Sequence, residues 1–355
     1  MKIALITDQH FGARADSQFF LDNFEKFYRD VFFPKLEEEG ISDVLILGDT
    51  FEHRKTLNAI TLHRARKMFF DELYKRGIQV KMLIGNHDVA YKNTNEVNWC
   101  QLFEAAYPNL TVVYDPTVYE FDGLPVAMLS WINSQNLVQS LEFIKTAKAP
   151  ILCGHLEIKT FEMMKGQPCL NGFDKEVFNR YEAVFSGHFH VISTDGRITY
   201  LSNPSQTNWG DYGLKKGFWI LDTATRGFWH VENPFEVYAK IVYTDEVSVL
   251  DFEYEKYQDK IVRIYIQSFA QTNQQKLNLF LEKLDSFVYS KEVFEIDDSL
   301  TGTLDESNLD FTNTNAVIEQ YIDDVVQNDL VDKKQLKNIF MDLYSEAMET
   351  AAENE

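Results

Sequence analysis

Residues 83–88 read LIGNHD, and this stretch ends a run that the sequence predicts to be a buried strand. The run 78–84 is apolar apart from two residues, and it stops at Gly85. Three polar side chains follow at once: Asn86, His87 and Asp88. Glycine permits a sharp turn and the close approach of a ligand, so this ending is typical of a site at the edge of a sheet.

Four other predicted strands end in the same way. Each apolar run leads directly into ligand-type side chains, and in most cases a glycine lies beside them. The endings are Asp8 and His10 after Lys2–Thr7, Asp49 and Glu52 after Asp43–Leu47, His155 after Pro150–Cys153, and His188 and His190 after Ala183–Ser186. Because ligands of open α/β sheets bind outside the carboxyl ends of the strands, we expect these side chains to form one site.

The order of the predicted elements indicates an α/β fold over residues 1–235. Strand patterns alternate with amphipathic stretches, of which Phe19–Glu38 and Asn58–Arg76 are the longest. Further strands are predicted at Val126–Trp131, Ile198–Leu201 and Gly217–Asp222. Strands that alternate with helices favour a layered α/β domain.

Beyond this domain the sequence changes character. Residues 236–297 predict a small α+β domain, with strands at Lys260–Gln267 and Phe287–Glu295 and a helix at Asn273–Ser286. The polar segment 298–313 is typical of a linker. Residues 314–355 carry two amphipathic helix patterns, which form a predicted helical arm.

Composition limits the classes of function. Of the 355 residues, 45% are apolar, which is enough for a folded core, and no apolar run reaches the roughly 18 residues of a membrane helix. Three cysteines without paired spacing are typical of a reducing compartment. The net charge of −21 excludes strong binding of nucleic acid by the global field of the protein. Binding to DNA would therefore need local basic patches, bound cations or a partner.

The residue types at the strand ends indicate metal chemistry. Imidazoles, carboxylates and one amide suit Mn, Fe or Zn better than Mg or Ca. The number of ligands exceeds what one ion needs, which favours a pair of ions that share a bridging carboxylate. Two-metal sites of this kind clamp the attacking and leaving oxygens of a phosphoryl displacement.

The ordered motifs DxH, GDxF, GNHD, GH and GHxH resemble those of the calcineurin-like metallophosphoesterases. Within that superfamily the chain is most similar to the SbcD-type (meiotic-recombination-eleven) DNA repair nucleases, and especially to the nuclease subunits of tailed-phage recombination endonucleases. The resemblance covers about residues 1–225. It implies a two-sheet α/β sandwich flanked by helices, a small α+β capping domain that binds DNA, and a C-terminal helical arm.

The resemblance also assigns roles to single residues. It implies two divalent metal ions, with Mn²⁺ expected, one held by Asp8, His10 and His190 and the other by Asn86, His155 and His188. Asp49 would bridge the two ions. His87 would face the scissile phosphate as general acid or transition-state stabiliser, and Asp88 is expected to orient it by a hydrogen bond.

One position departs from the family pattern. Some members carry a second catalytic histidine three residues after the bridging aspartate, where this chain has Glu52 followed by His53. Either His53 reaches the site, or Glu52 supports a ligand; we favour the second interpretation. Arg54 and Lys55 are hypothesised to contact phosphate. The other basic clusters, 64–67 and 215–216, are interpreted as solvated surface.

The function implied is hydrolysis of DNA phosphodiester bonds, as a double-strand exonuclease and single-strand endonuclease in recombination and break repair. The arm would either fold back on the second domain or dock on an SbcC-type SMC-like coiled-coil ATPase; we favour docking. A homodimer is expected through helices at Asn58–Arg76 and Asn95–Tyr107, without a membrane. The location would be the cytoplasm, that of the host cell if the chain is phage-encoded. Two alternatives are a small-molecule or nucleotide phosphodiesterase and a non-catalytic adaptor of the ATPase.

Overall fold

The computed structural model describes residues 1–266 and 268–295 and the three positions 333, 336 and 340. Contacts divide the chain after Glu236 into two compact units. The predicted linker at 298–313, and the arm at 314–355 apart from those three positions, lie outside the described residues. In the part of the chain that the structure describes, no helix combines the length and the apolar composition needed to cross a membrane.

The first unit contains a six-stranded sheet built on four parallel strands. Its order is β16-β15-β1-β2-β3-β6, in which β15 and β16 run antiparallel to their neighbours. Strands of a parallel sheet that is covered on both faces are apolar almost throughout, as KIALI of the first strand is. The strands are β1 (Lys2–Ile6), β2 (Asp43–Ile46), β3 (Gln79–Leu83), β6 (Leu110–Val113), β15 (Gly217–Asp222) and β16 (Phe228–Glu232).

A second six-stranded sheet packs on the first. Its order is β13-β14-β12-β9-β8-β7, with a parallel centre and antiparallel outer strands. The strands are β7 (Thr117–Phe121), β8 (Leu124–Leu129), β9 (Ile151–His155), β12 (Ala183–Gly187), β13 (Ser193–Thr194) and β14 (Ile198–Tyr200). One buried cluster joins Leu5 and Leu45 of the first sheet to Met128 and Phe185 of the second. The predicted two-sheet sandwich is confirmed.

Helices cover the outer faces of the sandwich. Both long predicted helices form, and each contains a π-helical turn, at Tyr28–Phe32 and at Arg66–Phe70. The Asn58 side chain caps the second by accepting a hydrogen bond from the Ile60 N–H at 2.8 Å. The α-helical segments of this unit are α1 (Ala13–Asp16), α2 (Gln18–Phe27), α3 (Phe33–Glu39), α4 (Ala59–Ala65), α5 (Asp71–Lys75), α6 (Cys100–Ala106) and α7 (Leu137–Thr146).

Two hairpins and two short 3₁₀ helices complete this unit. The hairpins pair β4 (Val89–Tyr91) with β5 (Thr94–Asn98), and β10 (Glu162–Met164) with β11 (Gln167–Pro168); the 3₁₀ helices are Lys175–Phe178 and Trp209–Asp211. The expected helix at Asn95–Tyr107 is therefore wrong in its first part. Pairing of Asn98 with Val89 holds that part as a strand, and the helix begins at Cys100.

The second unit begins with a parallel three-stranded sheet. Strands β17 (Tyr238–Tyr243), β18 (Ile261–Ile266) and β19 (Ser290–Glu295) pair in that order, and the unit also contains α8 (Gln274–Leu284) and a 3₁₀ helix at Tyr254–Tyr257. Ile241, Ile264 and Phe280 lie together in its core. The DNA-binding role expected of this unit stays a prediction.

Candidate metal centre

The loops that follow β1, β2 and β12 carry most of the candidate side chains in an unusual backbone conformation. Asp8, His10, Asp49 and His188 have φ values of 51°, 47°, 51° and 92°. This left-handed region costs energy for residues other than glycine, and it persists where the surroundings hold it in place. Here the loops after β1 and β2 bind each other through the Asp8 N–H and the Gly48 carbonyl at 3.0 Å.

Glycines allow the loops to approach each other closely. A Cβ atom on Gly85 would lie 2.1 Å from Oδ1 of Asp49, and one on Gly187 would lie 2.0 Å from Oγ1 of Thr7. Both glycines stand beside predicted ligands, so their lack of a side chain brings the carboxyl ends of β2 and β3, and of β1 and β12, together.

Three predicted ligands form the first cluster. Nε2 of His10 lies 3.0 Å from Nε2 of His190, and the latter lies 3.7 Å from Oδ1 of Asp8. Asp8 and His10 are buried, and His190 is half-buried. The ligand atoms of the three residues all lie within 4.8 Å of one another, so one cation among them could bind all three.

The second cluster contains Asn86, His155 and His188. Oδ1 of Asn86 lies 2.9 Å from Nε2 of His155 and 2.9 Å from Nδ1 of His188. Oδ2 of Asp49 lies 3.2 Å from Nε2 of His155 and 4.0 Å from Nε2 of His10, so this carboxylate stands between the two clusters. The structure thus brings all seven predicted ligands together; their binding of metal stays a prediction.

Neighbouring groups select the nitrogen that each imidazole presents. Nδ1 of His155 lies 2.7 Å from the Leu47 carbonyl, to which it donates, and the lone pair of Nε2 is then directed at the cluster. Nδ1 of His10 lies 2.8 Å from Oε2 of Glu52, which leaves its Nε2 for the cluster in the same way. Donor atoms in these directions fit divalent cations in both clusters.

Burial and mutual charge set the protonation of the metal-free cluster. Burial, helped by repulsion from His155, lowers the pKa of His188 to about 3. Burial opposes the charged form of His10, but the Glu52 carboxylate outweighs it and raises the His10 pKa to about 10. Burial also opposes ionisation of Asp49, yet the imidazoles of His155 and His87 hold the pKa of Asp49 well below its usual value. Without a cation the site therefore holds anionic Asp49 beside unprotonated His188, whereas His10 and His155 are protonated, so a cation that binds these two imidazoles must displace their protons.

His87 lies beside the first cluster. Its ring centroid is 5.0 Å from that of His10, and its Nδ1 lies 2.7 Å from the backbone carbonyl of Glu52. The backbone N–H of His87 donates a hydrogen bond to Oδ1 of Asp49 at 2.8 Å. The ring is thus held through Nδ1, which leaves Nε2 as the nitrogen that a substrate can contact.

The expectation that Asp88 orients His87 is wrong. The buried Asp88 carboxylate accepts hydrogen bonds from the backbone N–H groups of Gly85, Asp49 and Thr50 at 2.8, 2.8 and 2.9 Å. It joins the loops after β2 and β3, so its carboxylate oxygens are already used by backbone donors, and the acceptor for Nδ1 of His87 is the Glu52 carbonyl instead.

The remaining candidates lie in different surroundings. Oε2 of Glu52 lies 2.8 Å from Nδ1 of His10, whereas Nε2 of His53 lies 3.9 Å from Oδ2 of Asp16. Support of a ligand by Glu52 stays a prediction. Arg54 is half-buried, and its contact with phosphate stays a prediction.

The interpretation of Lys216 as solvated surface is wrong. Its Nζ is buried and binds Oδ1 of Asp211 at 2.6 Å and the His190 carbonyl at 2.7 Å. Lys216 precedes a predicted strand beside a second lysine, a pattern that gives no sign of burial. Sequence reasoning therefore missed a buried ion pair that supports a predicted ligand.

Comparisons with known proteins identify a family and a relative of this chain. The family model described as calcineurin-like phosphoesterase matches residues 1–192. Exonuclease subunit 1 of Enterobacteria phage T4 is 28% identical over 348 residues, which cover 98% of this chain and 99% of the phage protein.

Two solved structures are also similar. A novel archaeal phosphodiesterase, 14% identical with a TM-score of 0.35, covers 66% of this chain and 100% of its own. Pseudomonas putida nuclease MPE, 19% identical with a TM-score of 0.29, covers 56% of this chain and 67% of its own. These two scores are too low to support an inference about this chain.

Proposed function

This chain belongs to the calcineurin-like phosphoesterase family and is a metal-dependent phosphodiester hydrolase, and on that premise we propose that it is a nuclease whose substrate is DNA. The observation that carries the proposal is the similarity to a phage exonuclease subunit along 98% of this chain, which extends well beyond the phosphoesterase domain. The cleavage modes proposed are double-strand exonuclease and single-strand endonuclease.

Two divalent cations, with Mn²⁺ proposed, fit the donor atoms. Asp8, His10 and His190 would hold one, Asn86, His155 and His188 the other, and Asp49 both. When bound, such cations supply positive charge to a phosphodiester and lower the pKa of an attacking water molecule.

His87 is the proposed catalytic residue. The Glu52 carbonyl accepts the Nδ1–H of His87 and so orients the ring, which leaves Nε2 for the substrate. Nε2 is then able to donate a proton to the leaving oxygen or to stabilise charge on the phosphate. General acid catalysis of this kind contributes typically about 10²- to 10⁴-fold.

Cleavage of DNA by His87→Ala tests the proposal. Purified wild type with Mn²⁺ is expected to cut linear duplex and circular single-stranded DNA, and His87→Ala to lose roughly 100-fold or more while it keeps its Mn²⁺. The control is Glu142→Ala, because Glu142 is exposed on α7, outside the helices proposed for the homodimer. If wild type cuts a small phosphodiester but neither DNA, even with an ATPase partner, the DNA proposal is wrong.

We also propose an assembly. An SbcC-type SMC-like ATPase would bind the arm at 314–355, and a homodimer would form through the helices within 58–76 and through α6. Deletion of residues 312–355 is expected to abolish co-purification with the ATPase and to spare hydrolysis of a small phosphodiester; a truncated chain that still binds would contradict this docking. The proposed location is the cytoplasm, that of the host cell for a phage-encoded chain.

A further inference from the structure

Trp131 lies at the same edge of the sandwich as the candidate ligands but is not itself a candidate ligand. It follows β8, and three hydrogen bonds fix its backbone. Its N–H donates to the Ile84 carbonyl at 2.8 Å, and its carbonyl accepts from the side chains of Asn95 at 2.8 Å and Asn136 at 3.0 Å. The backbone that carries the ring is therefore fixed at three points.

The indole ring lies against the second cluster. Its centroid is 5.1 Å from that of His188, tilted by 44°, and 6.0 Å from that of His155, edge to face. Trp131 is half-buried, so part of the residue is open to solvent. A nucleotide whose phosphate lies at the second cluster has its base within reach of that open surface.

The charge of the protein makes an uncharged contact with DNA valuable. The net charge is −21, and prominent basic side chains are paired within the protein. Lys216 binds Asp211, and Arg64 binds Asp22 and Glu25. Attraction between these cations and a DNA backbone is thereby weakened, whereas stacking of a base on an aromatic ring does not depend on charge.

We infer that Trp131 is a stacking platform for a nucleobase next to the phosphodiester that is cleaved. This inference rests on the proposed function and deepens it, because it names the part of the substrate that the site recognises beyond phosphate. Any of the four bases presents a π-face, so the subsite accepts nucleotides without sequence preference. A phosphodiester that lacks a base gains nothing from it.

Binding of a ten-nucleotide oligo-dT tests the inference. The full-length chain is titrated, with Ca²⁺ in place of Mn²⁺, against fluorescein-labelled oligo-dT and against an abasic ten-mer with the same phosphates. Loss of one stacked base weakens binding by roughly 5- to 150-fold. Trp131→Leu is therefore expected to bind oligo-dT that much more weakly and to bind the abasic ten-mer as wild type does. Trp131→Phe, which keeps an aromatic face, is expected to retain most of the affinity for oligo-dT.

Mn²⁺ binding by the same variants separates stacking from packing. We expect Trp131→Leu to keep the wild-type Mn²⁺ stoichiometry. Loss of Mn²⁺ together with equal loss of both oligomers would show that Trp131 only supports His188, and this would overturn the inference, as would unchanged binding of oligo-dT. A wild type that cuts DNA but binds both oligomers equally refutes the subsite alone. A wild type that neither binds nor cuts DNA, even with an ATPase partner added, refutes the proposed function.

Discussion

Replacement of Lys216 by methionine removes a buried charge behind the candidate metal centre. Nζ of Lys216 binds Oδ1 of Asp211, the His190 carbonyl, Oγ of Ser202 at 3.3 Å and Oδ1 of Asn203. Methionine fills a similar volume but donates no hydrogen bond. The carboxylate of Asp211 is then left in the interior without its counter-ion.

The expected loss of stability follows from the burial of both Lys216 and Asp211. The side chains of Lys216 and Asp211 are 3% and 4% exposed, and breaking a buried pair at one partner costs roughly 3–5 kcal/mol in the free energy of unfolding. The lower end is expected here, because Oδ2 of Asp211 still accepts from the Thr207 N–H at 2.8 Å and the Asn208 N–H at 3.2 Å. Since Lys216 also binds the His190 carbonyl, weaker Mn²⁺ binding is expected as well.

Urea unfolding followed by tryptophan fluorescence measures this cost. All five tryptophans lie between residues 99 and 229, so the signal reports on the first unit. The matched control is Lys215→Met, whose side chain is 69% exposed and pairs with a half-exposed Glu232; such a pair contributes about 0–1 kcal/mol. If Lys216→Met costs no more than Lys215→Met, the buried pair is not needed for stability.

Three further predictions concern the centre itself. Glu52→Gln removes the charge that faces Nδ1 of His10, and calorimetry is expected to find Mn²⁺ affinity lower by roughly 10- to 100-fold. The exposed control Glu38→Gln is expected to bind Mn²⁺ as wild type does. A Glu52→Gln variant with wild-type Mn²⁺ affinity would contradict the role of the carboxylate. Gly187→Ala places a Cβ 2.0 Å from Oγ1 of Thr7, so a soluble variant that still binds Mn²⁺ is not expected. Mn²⁺ at about a thousand times its Kd is expected to raise the free energy of unfolding of chelator-treated protein by about 4 kcal/mol, seen as a higher melting temperature. An unchanged melting temperature would contradict a metal site in the folded protein.

Short sequence patterns were sufficient to predict the strand ends that position the candidate metal centre. Apolar runs that stop at Gly85 or Gly187 mark the strand ends, and in a largely parallel sandwich those ends meet at one edge. The grouping of these side chains at one edge was therefore predictable from the order of motifs. The long helices were equally visible, because their apolar residues recur with helical spacing.

Features that depend on distant contacts were not predictable. Asp88 binds backbone donors of a loop 38 and 39 residues earlier in the chain, and Lys216 binds a carbonyl 26 residues away. Neither contact leaves a periodic pattern in the sequence. The strand at Thr94–Asn98 was missed because it pairs only within a short hairpin, where polar residues outnumber apolar ones.

Anomalous X-ray scattering from crystals grown with Mn²⁺ tests the two-cation centre most directly. We expect two manganese peaks in each chain, one among Asp8, His10 and His190 and one among Asn86, His155 and His188, both within bonding distance of Asp49. A single peak, or peaks that these side chains do not contact, would contradict the centre and the hydrolysis proposed for it.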